Sequence, residues 1–107
     1  MSTTFIVHFH TRPECTAGFA ATLPFVREQL PQVDGCIDVQ VFRNEAEPDR
    51  FCLVERWESK AQHETHMANI AASGRWQQVL DQLAEDPRTA YFQEIEAAGS
   101  DAPATGG

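Results

Sequence analysis

Positive charge is scarce in this chain: eight Lys and Arg residues stand against sixteen Asp and Glu, a formal net charge of −8 over 107 residues. Nucleic acids and anionic membranes are bound by clustered cations, and no cluster occurs, so neither partner is expected. Long apolar runs are also missing. Nothing approaches the ~20 consecutive residues that span a bilayer, and Met1-Ser2-Thr3-Thr4 lacks the basic stretch and apolar core of a signal segment, so a cytoplasmic location is expected. Cysteine is sparse and irregular. Cys15, Cys36 and Cys52 fit neither a secreted disulfide framework nor a zinc-binding pair. Cys36 and Cys52 read as small hydrophobes in strands, and Cys15 as an inert thiol in the first turn of a helix. A chain of this length makes one domain with a modest core.

What is present is periodicity. Phe5, Val7 and Phe9 alternate with Ile6, His8 and His10, the pattern of a first strand. Phe19, Leu23, Val26 and Leu30 form the stripe of an amphipathic helix over Cys15–Leu30, in which Pro24 predicts a kink. After the turn at Asp34-Gly35, Ile37, Val39 and Val41 alternate with polar residues in a second strand. The polar stretch Asn44 to Arg50 leads to a third, where Phe51, Leu53, Glu55 and Trp57 share one face and Cys52, Val54 and Arg56 the other. Ser59 to Gln62 reads as a capping box and starts a helix with His63, His66, Met67 and Ile70 on one side. Ser73-Gly74 breaks it before a second piece, Arg75 to Leu83, and Thr89 to Ile95 alternates as a last strand. Residues 1–96 thus form the domain, and Ala97 to Gly107, small and polar, reads as a disordered tail.

The order β-α-β-β-α-β predicts an α+β, ferredoxin-like fold, a four-stranded antiparallel sheet with its helices on one face. The other face is expected to carry Phe5, Val7 and Phe9. That surface is too apolar for water, which predicts a homodimer joined sheet to sheet in a barrel-like core.

Thr11-Arg12-Pro13, the run Leu53-Val54-Glu55-Arg56-Trp57-Glu58-Ser59, and His66 seven residues beyond that serine together carry a resemblance. They resemble the antibiotic-biosynthesis-monooxygenase family of dimeric α+β barrels, which includes cofactor-independent quinol and anthrone monooxygenases and haem-degrading enzymes. The resemblance implies a pocket between the helices and the helix-facing side of the sheet, lined by Ile6, His8 and His10, with His66 looking into it. It also implies no cofactor. The haem-degrading branch resembles a different pattern, an asparagine on the first strand and an iron-ligating histidine beyond His66. Ile6 stands near the first position and Gly74 to Val79 contains no histidine, so haem degradation is not expected.

Oxygenation without a cofactor needs a substrate that gives an electron to dioxygen, which a phenolate or enolate does far better than its neutral form. The protein must remove a proton and exclude water. On this reading His66 is the catalytic base and His8 a donor or proton relay across the pocket. Ile6, His10, His63, Ile70, Trp76 and Phe92 are the expected substrate contacts, Trp76 and Phe92 as walls for a planar ring. A free phenol has a pKa of ~10 and histidine ~6.5, about 5 kcal/mol uphill for full transfer. The substrate is therefore an acidic hydroxyaromatic, or further donors stabilise its anion. Glu55 reads as a partner of Arg43 or Arg12, and Trp57 as core. Two other readings stand beside this one. A dimer of the same fold could hold a small apolar molecule without turning it over, and His8-x-His10 with His63-x-x-His66 could together ligate a metal if their faces meet.

Overall fold

Alternation along four short segments produces four strands in a computed structural model that describes residues 2–98. β1 (Thr3–His10), β2 (Cys36–Arg43), β3 (Arg50–Trp57) and β4 (Arg88–Phe92) pair antiparallel in the order β2-β3-β1-β4. Helix α1 (Thr16–Gln29) links β1 to β2, while α2 (Lys60–Ala72) and α3 (Arg75–Leu80) link β3 to β4. This is the expected α+β, ferredoxin-like arrangement, with all helices on one face of the sheet. Among the described residues no helix is long and apolar enough to cross a membrane.

The covered face is the opposite of the one expected. Register pairs Phe5 with Glu55, Val7 with Leu53 and Phe9 with Phe51, and all six are buried. The Phe9 ring lies 5.2 Å from Phe19 of α1 and 6.4 Å from Trp76 of α3, centroid to centroid. The expectation that Phe5, Val7 and Phe9 form a bare face is therefore overturned: the chain's own helices cover them. The cause is a match of apolar areas. The α1 stripe of Phe19 and Leu23 must bury itself, and of the two sheet faces only the Phe-Val-Phe face repays that burial. Ile6, His8 and His10 then fall on the uncovered face, as does Phe92, which pairs with Thr4 and is half exposed.

Several boundaries also move. A register shift between Cys36 and Asp38 makes Ile37 a bulge residue, so it is exposed while Val39 faces the core. A 3₁₀ turn, Pro13–Cys15, precedes α1, and Pro24 lies inside that helix. Helix α3 stops at Leu80, and β4 stops at Phe92 rather than Ile95. From residue 99 onward the expected tail lies outside the described residues.

Thr11-Arg12-Pro13 acts as a latch at the end of β1. The Thr11 hydroxyl is fully buried and bonds that of Thr16 at 2.7 Å, the Thr11 N–H donates to the Asp49 carbonyl at 2.9 Å, and Arg12 Nε donates to the Leu83 carbonyl at 3.1 Å. These bonds tie the start of α1 and the chain after α3 to the same sheet end.

A candidate active site between sheet and helices

Three local features fix the corner where β3 runs into α2. Ser59 has extended backbone and its Oγ accepts from the Gln62 N–H at 3.2 Å, a cap worth about 1 kcal/mol. The Gln62 side chain meets the Ser59 hydroxyl at 2.8 Å. Gly35, at φ +88°, lets the chain before β2 pass against this cap. Its carbonyl accepts from the Glu58 N–H at 2.7 Å, and a Cβ there would sit 2.6 Å from Gln62 Cβ. The first turns of α2 are thereby pressed onto the sheet beside Trp57.

The result is a buried polar cluster. Trp57 is 0 % exposed, His63 1 % and Glu55 6 %. Trp57 Nε1 donates to Glu55 Oε1 at 3.0 Å, and His63 Nε2 lies 3.8 Å from the same oxygen. His63 Nδ1 is 2.6 Å from the Tyr91 hydroxyl of β4, with Phe5 stacked on the imidazole at 3.9 Å between centroids. His63 Nε2 has no hydrogen-bond partner among the described residues. His66, one turn on, sits 5.3 Å from the Trp57 ring.

This cluster closes one part of a cavity of about 550 Å³ between the helices and the sheet. Phe5, Val7, Phe9, Leu23, Val26, Met67, Ile70 and Trp76 supply an apolar lining, and Glu55 and His66 are the acid–base groups in it apart from the always-charged Arg75. Its size and chemistry suit a small planar, mostly apolar molecule with one polar end.

Burial sets the protonation of the cluster. It pushes the Glu55 carboxyl up to about 7, opposed by the Trp57 hydrogen bond, which favours the anion. It pushes His63 down to about 4, with the neighbouring His66 adding to the effect. His66 is lowered too, by burial and then by Arg75, and the Tyr91 hydroxyl is raised by burial and by the carboxylates of Glu64 and Glu55. Both shifts have the same sense: burial favours the uncharged forms, a protonated Glu55 and a neutral His63, across the 3.8 Å that separates them.

The expected site residues divide by sheet face. His66, Ile70 and Trp76 line the cavity. His63 is beside it but wholly buried against Glu55 and Tyr91. Ile6, His8, His10 and Phe92 do not line it, because alternation puts them on the other side of the sheet. His8 is exposed there, and His10 Nδ1 lies 3.4 Å from Glu85. The two histidine pairs thus occupy opposite faces, which removes the four-histidine metal arrangement. Among the described residues no three His, Cys, Asp or Glu side chains gather as metal ligands. Glu55 is the residue that sequence reasoning passed over: its partners are Trp57 and His63, neither Arg43 nor Arg12. The signal was its place on the Phe51-Leu53-Trp57 face, legible once that face is known to be covered.

The family model for antibiotic biosynthesis monooxygenases matches residues 3–87. No curated protein matches the sequence. Among solved structures, Rv0793 from Mycobacterium tuberculosis is similar at a TM-score of 0.78 and 18 % identity, over 92 % of this chain and 100 % of that one. A candidate antibiotic biosynthesis monooxygenase from Bordetella bronchiseptica is similar at 0.73 and 25 % identity, over 89 % and 98 %. SnoaB, a cofactor-independent oxygenase from Streptomyces nogalater, is similar in fold at 0.75 and 10 % identity, over 90 % and 95 %.

Proposed function

Because the chain belongs to the antibiotic biosynthesis monooxygenase family, we propose that it is a cofactor-independent monooxygenase acting on a small planar hydroxyaromatic, quinol-like or polyketide-like, with dioxygen as co-substrate. The observation that carries this reading is the apolar cavity with Glu55 and His66 in its wall. A ring packs among Phe5, Met67, Ile70 and Trp76 while its hydroxyl meets His66. Deprotonation makes the ring electron-rich enough to reduce dioxygen. One oxygen atom forms the new bond to carbon and the other leaves as water, with the ring supplying the electrons. His66, lowered by burial and therefore neutral near pH 7, contacts the oxygen that loses its proton.

Oxygen consumption by the purified protein against a panel of quinols and hydroxyanthrones tests the reading. Uptake matched one to one by oxygenated product is expected for at least one of them. Tight binding of these compounds with no uptake by any would leave a binding protein of the same fold.

The active form on this proposal is a homodimer, joined through the uncovered sheet face and not through the Phe5 face. Support comes from half-buried Ile6, Cys52 and Val54 at the centre of that face and from Phe42 and Phe92, about half exposed, at its margins. Asp38 and Arg56, paired at 3.6 Å, add charge that a second copy repeats. Sedimentation at micromolar concentration should give a dimer, and Val54→Asp should give a monomer. A wild-type monomer would overturn the assignment.

A further inference from the structure

The cavity has a way in for substrate, and the buried cluster has the form of a way out for a proton. Glu55 belongs to both: its carboxyl is in the cavity wall, and behind it His63 and Tyr91 continue to β4, an edge strand of the sheet. His63 would be an odd residue to bury for packing alone. It is 1 % exposed, its Nε2 is an unpartnered polar atom aimed at Glu55 Oε1, and its Nδ1 is already committed to the Tyr91 hydroxyl at 2.6 Å. Leaving such an atom unpaired is costly, so its place in the fold calls for a role beyond packing. His66, by contrast, is only half-buried and makes no side-chain hydrogen bond among the described residues, so it is not joined to this line of groups.

We infer that Glu55 takes the substrate's hydroxyl proton and that His63 and Tyr91 pass it to solvent. This rests on the monooxygenase reading and moves the role of base from His66 to Glu55, leaving His66 to hold the phenolic oxygen. The substrate O–H bond breaks, its electron pair stays on the substrate oxygen, and the proton bonds to a Glu55 oxygen. A small carboxyl rotation closes the 3.8 Å gap to His63 Nε2, which receives that proton. His63 releases its Nδ1 proton to Tyr91 as Tyr91 gives its own to water. One proton enters and one leaves. The imidazole ends in its other tautomer; once product has left, Nε2 returns its proton through Glu55 to water in the cavity while Nδ1 regains one from solvent through Tyr91.

The charged and titratable groups around this line are few. Helix α2 brings His66, Lys60 and Glu64, with Lys60 Nζ 4.8 Å from the Tyr91 ring, helix α3 brings Arg75, and β2 brings Cys36, whose thiol is pushed up to about 11 by burial and then by the Glu55 and Asp38 carboxylates and so stays protonated.

Two measurements test the inference, one of them independent of turnover. Infrared titration should show one buried carboxyl that loses its proton near pH 7, disappears in Glu55→Gln, and shifts in His63→Gln and Tyr91→Phe. Glu55 ionised throughout pH 5 to 8, or indifferent to both partners, would overturn the relay even in a fully active enzyme. In turnover, Tyr91→Phe should lower kcat by ~10-fold with KM nearly unchanged, and added imidazole should restore the rate; Glu55→Gln should cost ~10²-fold or more. A Tyr91→Phe enzyme with wild-type kcat and pH profile would also overturn it. If no quinol is turned over, the monooxygenase reading falls by itself, and the titration still decides whether Glu55, His63 and Tyr91 share a proton.

Discussion

Replacing His66 with Ala should lower turnover of a quinol by ~10²-fold, the scale of a lost hydrogen-bond partner at a developing oxyanion. The imidazole lines the cavity beside Trp57 and is kept neutral by burial and by Arg75, so it can meet a phenolic oxygen without carrying charge into an apolar site. KM should change much less than kcat, because the ring's affinity comes from Phe5, Ile70 and Trp76. Stability should fall by about 1 kcal/mol, the usual cost of trimming a partly exposed side chain with no hydrogen bond. His8→Ala is the contrast: His8 lies on the other face of the sheet, so kcat should remain close to wild type. Steady-state kinetics with a thermal melt check both variants, and full activity in His66→Ala would remove it from the site.

The largest expected loss of stability is at Trp57. Its side chain is 0 % exposed, contacts His63 and His66, and donates to Glu55, so Trp57→Ala should cost about 3–5 kcal/mol. For a domain of this size that lowers the melting temperature by roughly 15 °C or more. Trp57→Phe keeps most of the packing and removes the N–H, costing about 1–2 kcal/mol. It should also raise the Glu55 pKa above about 7, because the lost bond favoured the carboxylate. The sign of the pH effect follows. A carboxyl raised from 4.5 in the unfolded chain makes the folded state bind more protons, so its penalty is absent below pH ~4.5 and grows as pH rises through the folded value. His63, lowered to about 4, acts oppositely, its penalty growing as pH falls from ~6.5. The pH dependences of the two penalties nearly offset each other between pH ~4.5 and 6.5 in the wild type, whereas Trp57→Phe should lose stability further into the alkaline range. Melts from pH 5 to 8.5 check this; a parallel offset at every pH would mean that Glu55 does not depend on the bond.

Element order and the capped start of α2 were legible because both depend on local pattern. Alternation marks a strand wherever its neighbours lie, and Ser59 with Gln62 begins a helix by bonds within four residues. The covered face of the sheet was not local. Alternation says that Phe5, Val7 and Phe9 share a face and is silent on which face the helices choose; that choice depends on where the α1 stripe finds apolar area to bury. The site inherited the uncertainty. His66, Ile70 and Trp76 were found through helical spacing, which holds regardless of the sheet, whereas Ile6, His8, His10 and Phe92 were assigned through the face and went to the wrong side with it. Glu55 was hidden for the same reason, since its meaning comes from His63 and Tyr91, 8 and 36 residues further along the chain. The bulge at Ile37 had no signal in the alternation, which continues through it.

The central claim is that this cavity oxygenates a hydroxyaromatic ring with no resident cofactor. Its most direct test is turnover of the best quinol or hydroxyanthrone under isotopically labelled dioxygen, by protein dialysed against a strong chelator. The account predicts one labelled oxygen atom in each product molecule, the other in water, and a rate unchanged by chelation. Product carrying no label, or a rate that disappears with chelation and returns with an added metal, would contradict it.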